Sequence, residues 1–396
     1  MNKHVLYYIH NYPGYGGIEK VTTILANHFV ENEEWEVTII SFSQKYTDEL
    51  INELDSGVIF LKMPNSTDLY SEENRNFLFK FLQTNTIDVI IFQDSYANIH
   101  KILFEVNKSF NIPIITVEHS SPFNALIRLK NRQKTLSYFR SPKETIHKLL
   151  YPYYKWKTFF LNDFSRRRYK YNKSKYYILL SDLFFREFRD ITKITKTDKL
   201  LAINNPITIT NDPIDFRMKK KQLLFIGRMD PTKNVKLLIQ IWQNLYNDFP
   251  DWEFVVVGDG PEKESLHTYV ESNNIQRVSF EGFKTNVVPY YKDASIFCMA
   301  SIIEGWGLTL TESMVMGVVP VAFDTFASIT DIIKNGVNGF LIKPWNIDEY
   351  TDCLKMLMKN KKQINIISRQ AQLSSDRFAL SKIGKQWVRI VNNIEN

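Results

Sequence analysis

The chain has 396 residues, 44% of them hydrophobic and 23% charged, with a formal net charge of +7. This composition excludes a disordered or fibrous chain, and the length suits two domains of roughly 150 to 200 residues each. Only Cys298 and Cys353 occur, which excludes a disulfide scaffold and leads us to expect a reducing, cytoplasmic setting.

The N-terminal run MNKHVLYYIHNYPGYGG is broken at His10, Asn11 and Pro13, too early for a signal peptide. HVLYYIH, EVTIISF, DVIIFQD, PIITVEH and KYYILLS then follow as strand-like runs, with helical segments between most of them. This alternation predicts an α/β fold around a parallel sheet. Across NNPITITNDPIDFRMKKKQ, residues 204–222, Pro, Asn and Asp cluster and the pattern pauses. It resumes with QLLFIGR, WEFVVVGDG, VSFEGF, SIFCMAS and VVPVAFD, so a second Rossmann-like domain is expected. Beyond PVAFDT the chain reads as a turn, the segment DIIKNGVNGFLIKP and helices. It ends in an amphipathic helix with Ile383, Trp387 and Ile390 on one face. No stretch approaches the ~20 apolar residues of a membrane span, so any membrane contact is expected to be peripheral.

Open α/β sheets bind ligands beyond the carboxyl ends of their strands. Three loops of the second half leave such ends with unusual residues. In GRMDPTKN, Arg228 follows the strand directly and Lys233 stands just before a helix with apolar Val235, Leu238, Trp242 and Leu245. Two cations near a helix N-terminus suit an anion, and a solvated surface pair is the other reading. GDGP, from Gly258 to Pro261, is a tight turn that lets a ligand approach the backbone closely. In SIIEGWGLTLTE, Glu304 precedes a Trp-Gly turn and Glu312 falls near the start of a helix. The first helical turn lies between these two carboxylates. A ligand with a polyol at each end and phosphate in the middle fits that order, because carboxylates accept from paired hydroxyls and helix starts receive phosphate. A sugar nucleotide has this shape.

Glu304 and Glu312, with Gly305, Trp306, Gly307 and Leu308, resemble the E-x7-E signature of retaining glycosyltransferases in the form typical of glycosyltransferase family 4, where Phe more often stands in place of Trp306. PGYGGIEKV resembles that family's glycine-rich loop, TVEH its strand ending in an active-site histidine, NNPI its hinge and GRMDPTKN its Gly-Arg and Lys segment. Residues 123–175 match least. The resemblance implies the GT-B fold, two Rossmann-like domains with parallel sheets facing a central cleft. The acceptor-side domain would span 1–207, the nucleotide-sugar domain 208–376, and a C-terminal helix over 377–396 would cross back to the first.

Carried to this chain, the resemblance places Glu312 on the ribose hydroxyls and Glu304 on the donor sugar's hydroxyls at the reacting face. Arg228 and Lys233 would neutralise the leaving diphosphate. Gly16 and Gly17 would bring backbone N–H groups to the same phosphates, and His119 would lie near the transferred sugar or acceptor. His119 alone reads equally well as a satisfied core histidine. Gly258 and Phe283, the latter in EGFK, would belong to the donor-binding loops. The implied activity is a retaining hexosyl transfer from a UDP- or GDP-sugar to a glycan or polyprenyl-linked acceptor of cell-surface polysaccharide synthesis. Front-face departure of the diphosphate is expected, not a covalent intermediate on Glu304. No D-x-D occurs, so the reaction is expected to be metal-independent, with no cofactor besides the donor. The competing readings are an inactive GT-B scaffold that binds sugar nucleotide or membrane, and a sugar-nucleotide epimerase.

Residues 128–175 hold fifteen Lys or Arg against Glu144 and Asp163, a net of +13, together with eleven aromatics. Within them SPKE, at 141–144, reads as a helix start. Cations mixed with Trp, Tyr and Phe suit an anionic bilayer surface. A solvated helical face is the alternative, and nucleic acid is not expected, because the rest of the chain describes a sugar-nucleotide protein.

Overall fold

The structure, a computed structural model, describes residues 3–44, 48–94, 99–127, 150–157, 164–209 and 214–395. The chain divides into two compact units, Met1–Pro206 with Leu380–Asn396, and Ile207–Ala379. The helix start expected at 141–144 lies outside the described residues.

Among the described residues of the first unit, seven strands form a parallel sheet. They are β1 His4–Asn11, β2 Glu36–Ser43, β3 Val58–Lys62, β4 Val89–Asp94, β5 Ile114–Glu118, β6 Tyr176–Leu179 and β7 Leu200–Ala202. Their order is β3-β2-β1-β4-β5-β6-β7. A parallel sheet is covered on both faces, so its central strands are continuous apolar runs. β4 is buried along its whole length.

In the second unit the described residues contain β8 Gln222–Ile226, β9 Glu253–Val257, β10 Val278–Gly282, β11 Ile296–Met299, β12 Val319–Phe323 and β13 Phe340–Ile342. They pair in parallel in the order β10-β9-β8-β11-β12-β13. Trp242, Phe254 and Tyr350 lie in the core of this unit. Both sheets reverse their chain order beside the first strand, between β1 and β4 and between β8 and β11. The carboxyl ends at such a switch point leave a crevice between diverging loops.

The C-terminal helix Leu380–Asn392 packs on the helix Gly17–Glu33. Its buried stripe is Ile383, Trp387 and Val391, four residues apart, with Gly384 beside it. Ile390, expected on that face, lies at its edge and is half-buried. A Cβ at Gly384 would come within 2.2 Å of His28 Nε2, so glycine permits this close helix contact. Among the described residues no helix is long and apolar enough to cross a membrane.

Candidate functional site

Arg228 and Lys233 lie beyond the carboxyl end of β8, and Glu304 lies beyond that of β11, across the switch point of the second sheet. Asp230 folds the first of these loops by accepting from the Thr232 N–H at 2.8 Å and the Thr232 hydroxyl at 2.5 Å. Asn234 then takes a left-handed conformation, φ 53°, that starts the helix Val235–Gln243. Val235, Leu238 and Trp242 anchor this helix in the core, and Leu245 is buried just beyond its end. The Ile302 N–H donates to the Thr232 carbonyl at 2.7 Å, stitching the two loops together. The result is an ion pair in which the Lys233 ammonium donates to Glu304 Oε1. The two side chains are 26% and 15% exposed. Arg228 is 72% exposed and lies 3.9 Å from Asp230.

Glu312 sits in the second turn of the helix Leu308–Val315, whose N-cap Gly307 has φ 84°. Leu308 is half-buried. The Glu312 carboxylate is buried and accepts from the Tyr291 hydroxyl at 2.9 Å and from the Thr208 hydroxyl. A carboxylate offers about four acceptor positions, so capacity remains for further hydroxyls. Lys219 braces this arrangement by donating to the carbonyls of Tyr291 at 2.6 Å and Met316 at 2.7 Å. Burial pushes the Lys219 pKa down to about 7, with Asp293 opposing.

Other expected positions fall differently. Trp306 points into the protein, where its ring meets Phe378 edge-on at 5.2 Å, so a ligand contact beside Gly305 would come from backbone. Gly258 has φ +139°, and a Cβ there would sit 1.9 Å from the Gly227 carbonyl oxygen. The close approach at Gly258 is thus between two loops of the chain itself, which the Met229 N–H also ties by donating to the Asp259 carbonyl at 2.8 Å. Phe283, after β10, is 51% exposed.

In the first unit, Gly16 and Gly17 are exposed at the start of the helix that follows β1. His119 follows β5. Its Nε2 shares a 2.5 Å hydrogen bond with Gln93 Oε1. Its Nδ1 is closed off from solvent and has no hydrogen-bond partner among the described residues. Burial lowers its pKa to about 4, against the opposing charge of Glu118, so the ring is neutral at neutral pH.

Next to it lies a buried charge network. Glu118 accepts from Arg167 Nε at 2.7 Å and Nη2 at 2.6 Å, and from the Tyr177 hydroxyl at 2.7 Å. Lys170 pairs with Asp94. Burial alone would raise Glu118, but Arg167 chiefly, with Lys170 and Tyr177, holds it below the usual carboxylate range. Burial raises Asp94 despite Lys170. Arg167, Lys170 and Tyr171, placed by sequence in a stretch suited to a bilayer surface, are therefore interior residues: the first two satisfy strand-end carboxylates, and the Tyr171 hydroxyl donates to the Lys196 carbonyl at 2.7 Å.

Residues 208–374 match the family described as glycosyl transferases group 1. The group 1 segment contains Arg228, Lys233, Gly258, Phe283, Glu304 and Glu312. The chain is 30% identical over 197 residues to an uncharacterized glycosyltransferase of Haemophilus influenzae, covering 50% of this chain and 56% of that one. It is 27% identical over 206 residues to a poly(ribitol-phosphate) alpha-N-acetylglucosaminyltransferase of Staphylococcus aureus, covering 52% of this chain and 42% of that one. The chain thus spans about half the length of these relatives. Two crystal structures of TarM, the second a variant from S. aureus in complex with Fondaparinux, alpha-GlcNAc-glycerol and UDP, align at TM-scores of 0.77 and 0.75. Each is 15% identical and covers 99% of this chain, over 99% and 100% of the TarM chains. At that identity the likeness establishes the fold, GT-B, with two parallel-sheet Rossmann-like units.

Thr208, Tyr291 and Gln93 were not singled out by the sequence, although each holds a candidate group. Gln93 carried a signal, because it nearly ends DVIIFQD, the strand beside TVEH. Thr208 lay in plain sight within NNPITI. Tyr291 had none, since its partner Glu312 is brought to it only by the fold.

Proposed function

We propose that this protein is a retaining glycosyltransferase that moves a sugar from a UDP- or GDP-sugar to a glycan or lipid-linked acceptor in cell-surface polysaccharide biosynthesis. The observation that carries this reading is the Lys233–Glu304 pair at the switch point of the second sheet, with Glu312 held on the helix that follows, inside the group 1 segment. The name of the S. aureus relative, a poly(ribitol-phosphate) alpha-N-acetylglucosaminyltransferase, supports a polymer as acceptor, and the TarM complex with UDP supports a nucleoside diphosphate as leaving group.

In this reading Arg228 and Lys233, with the helix start after Gly307, stabilise charge growing on the departing diphosphate. Glu304 accepts from donor-sugar hydroxyls and Glu312 from the ribose. Gly16 and Gly17 add N–H groups, and His119 meets the transferred sugar or acceptor. The bond from the anomeric carbon to the diphosphate breaks while the acceptor oxygen bonds the same face, and a phosphate oxygen takes the acceptor's proton. The reaction needs no metal.

The test is nucleoside diphosphate release from a panel of UDP- and GDP-sugars, with membrane lipid extract as acceptor, with EDTA and without, beside Glu304→Ala. One donor turned over in EDTA and lost in the variant is the expected result. Binding without turnover would instead identify an inactive scaffold, and an altered sugar on an intact nucleotide an epimerase.

The enzyme acts at the cytoplasmic face of a membrane. Supporting this are Tyr153 and Trp156, 51% and 55% exposed on the helix Tyr151–Lys157, with Lys157 beside them. Each cation near an anionic surface contributes ~1 kcal/mol. The protein should therefore pellet with phosphatidylserine vesicles at low salt and less with neutral ones; equal recovery with both removes the membrane from the proposal.

A further inference from the structure

Residues 301–305, which carry Glu304 away from β11, are held by three hydrogen bonds. The Thr325 hydroxyl donates to the Ser301 carbonyl at 2.6 Å, the Ile302 N–H to the Thr232 carbonyl at 2.7 Å, and the Ser328 hydroxyl to the Gly305 carbonyl at 3.0 Å. Ile303 and Trp306 are buried on either side of Glu304 and anchor the chain in the protein. The Glu304 side chain between them stays accessible, at 15% exposed, and faces Lys233.

Thr325 and Ser328 both come from the chain that follows β12, the strand paired with β11. Ser328 is the N-cap of the helix Ile329–Ile332, a place where serine ordinarily turns its hydroxyl to the helix's own N–H groups. It makes no such bond. The side chain is 0% exposed, and its hydroxyl reaches across to Gly305 instead. That choice has a consequence for Glu304, because a glycine backbone turns easily and the Gly305 carbonyl belongs to the second peptide after the Glu304 Cα. Holding that carbonyl removes the rotation that would swing Glu304 away from Lys233.

We propose that Ser328 is a positioning residue, which through the Gly305 carbonyl sets where the Glu304 carboxylate meets the hydroxyls of the donor sugar, with Thr325 fixing the other end of the same segment. This deepens, and rests on, the transferase reading. Neither hydroxyl touches the donor; both act on the backbone that aims Glu304.

The test compares the full chain with Ser328→Ala, which costs the helix no cap because the hydroxyl makes none. For the sugar nucleotide that the donor panel identifies, kcat/KM should fall by about 10-fold, the upper range for losing one neutral hydrogen bond. Affinity for UDP or GDP alone, which lacks the sugar that Glu304 meets, should stay within about 2-fold, as expected when only sugar contacts are disturbed. A loss shared equally by the nucleoside diphosphate, or no loss, overturns the proposal. Thr325→Val, close in shape but without the hydroxyl, should show the same sugar-selective loss, and serves if Ser328→Ala does not fold. A second arm needs no donor: hydrogen exchange at the Ile302 amide, bonded to Thr232, should quicken in either variant while the β11 amides keep their rates. Unchanged exchange at Ile302 also overturns it, whatever the protein transfers. If the unaltered protein turns over no donor, the transferase reading fails and takes the sugar contact with it, while exchange at Ile302 still decides whether Ser328 holds the loop.

Discussion

Lys233→Ala is expected to lower donor turnover by about 100- to 1,000-fold, the loss typical of removing one preorganised charge from a site where anionic charge develops. Nucleoside diphosphate release at saturating donor measures it. Two features set this effect above that of Arg228. Lys233 is only 26% exposed, so its field is less screened, and the Ile302–Thr232 hydrogen bond fixes the loop that carries it. Arg228, at 72% exposed, should cost less. An ammonium has three donors and Glu304 occupies one, leaving two for diphosphate oxygens. Lys233→Arg keeps the charge but not the point geometry, so it should retain part of the activity. Near-normal turnover in Lys233→Ala removes this residue from the site.

The sequence was most legible where strands are buried on both faces. β1, β4, β8, β11 and β12 are apolar runs because helices cover them, and polar residues mark their carboxyl ends. The strands not read from sequence, β3, β7 and β13, all lie at sheet edges. β3 mixes half-buried and exposed residues without a regular alternation, and β7 and β13 are three residues each, too short for a period to appear. At the candidate site, the loops after β8 and β11 were legible because Arg228, Lys233 and Glu304 are out of place in apolar surroundings. The partners of Glu312 and His119 were not, because Tyr291 and Gln93 become neighbours only through packing. Charge density in residues 128–175 pointed outward, whereas Arg167 and Lys170 turn inward. Composition counts charges without registering the buried carboxylates on other strands that demand them.

That inward turn carries the second large effect. Arg167→Met is expected to destabilise the first unit by about 3–5 kcal/mol, because it strands Glu118 as an uncompensated buried charge. Faster hydrogen exchange of the β4 and β5 amides measures it. The sign of its pH dependence follows from Glu118. With Arg167 present its folded pKa lies below the ordinary value of about 4.3, so its contribution is full above that value and is lost as pH falls through the folded pKa. Without Arg167, burial dominates and raises it, so the variant is penalised most at neutral pH. Asp94, already raised by burial, also loses the nearby positive charge and adds to the same trend. The gap between the two proteins should therefore narrow as pH falls from 7 toward about 4. Adding Glu118→Gln to Arg167→Met removes the stranded charge and should recover part of the loss, since only a neutral amide then needs partners. A gap independent of pH, or a double variant less stable than the single one, would mean that Arg167 acts through its packing and not through Glu118.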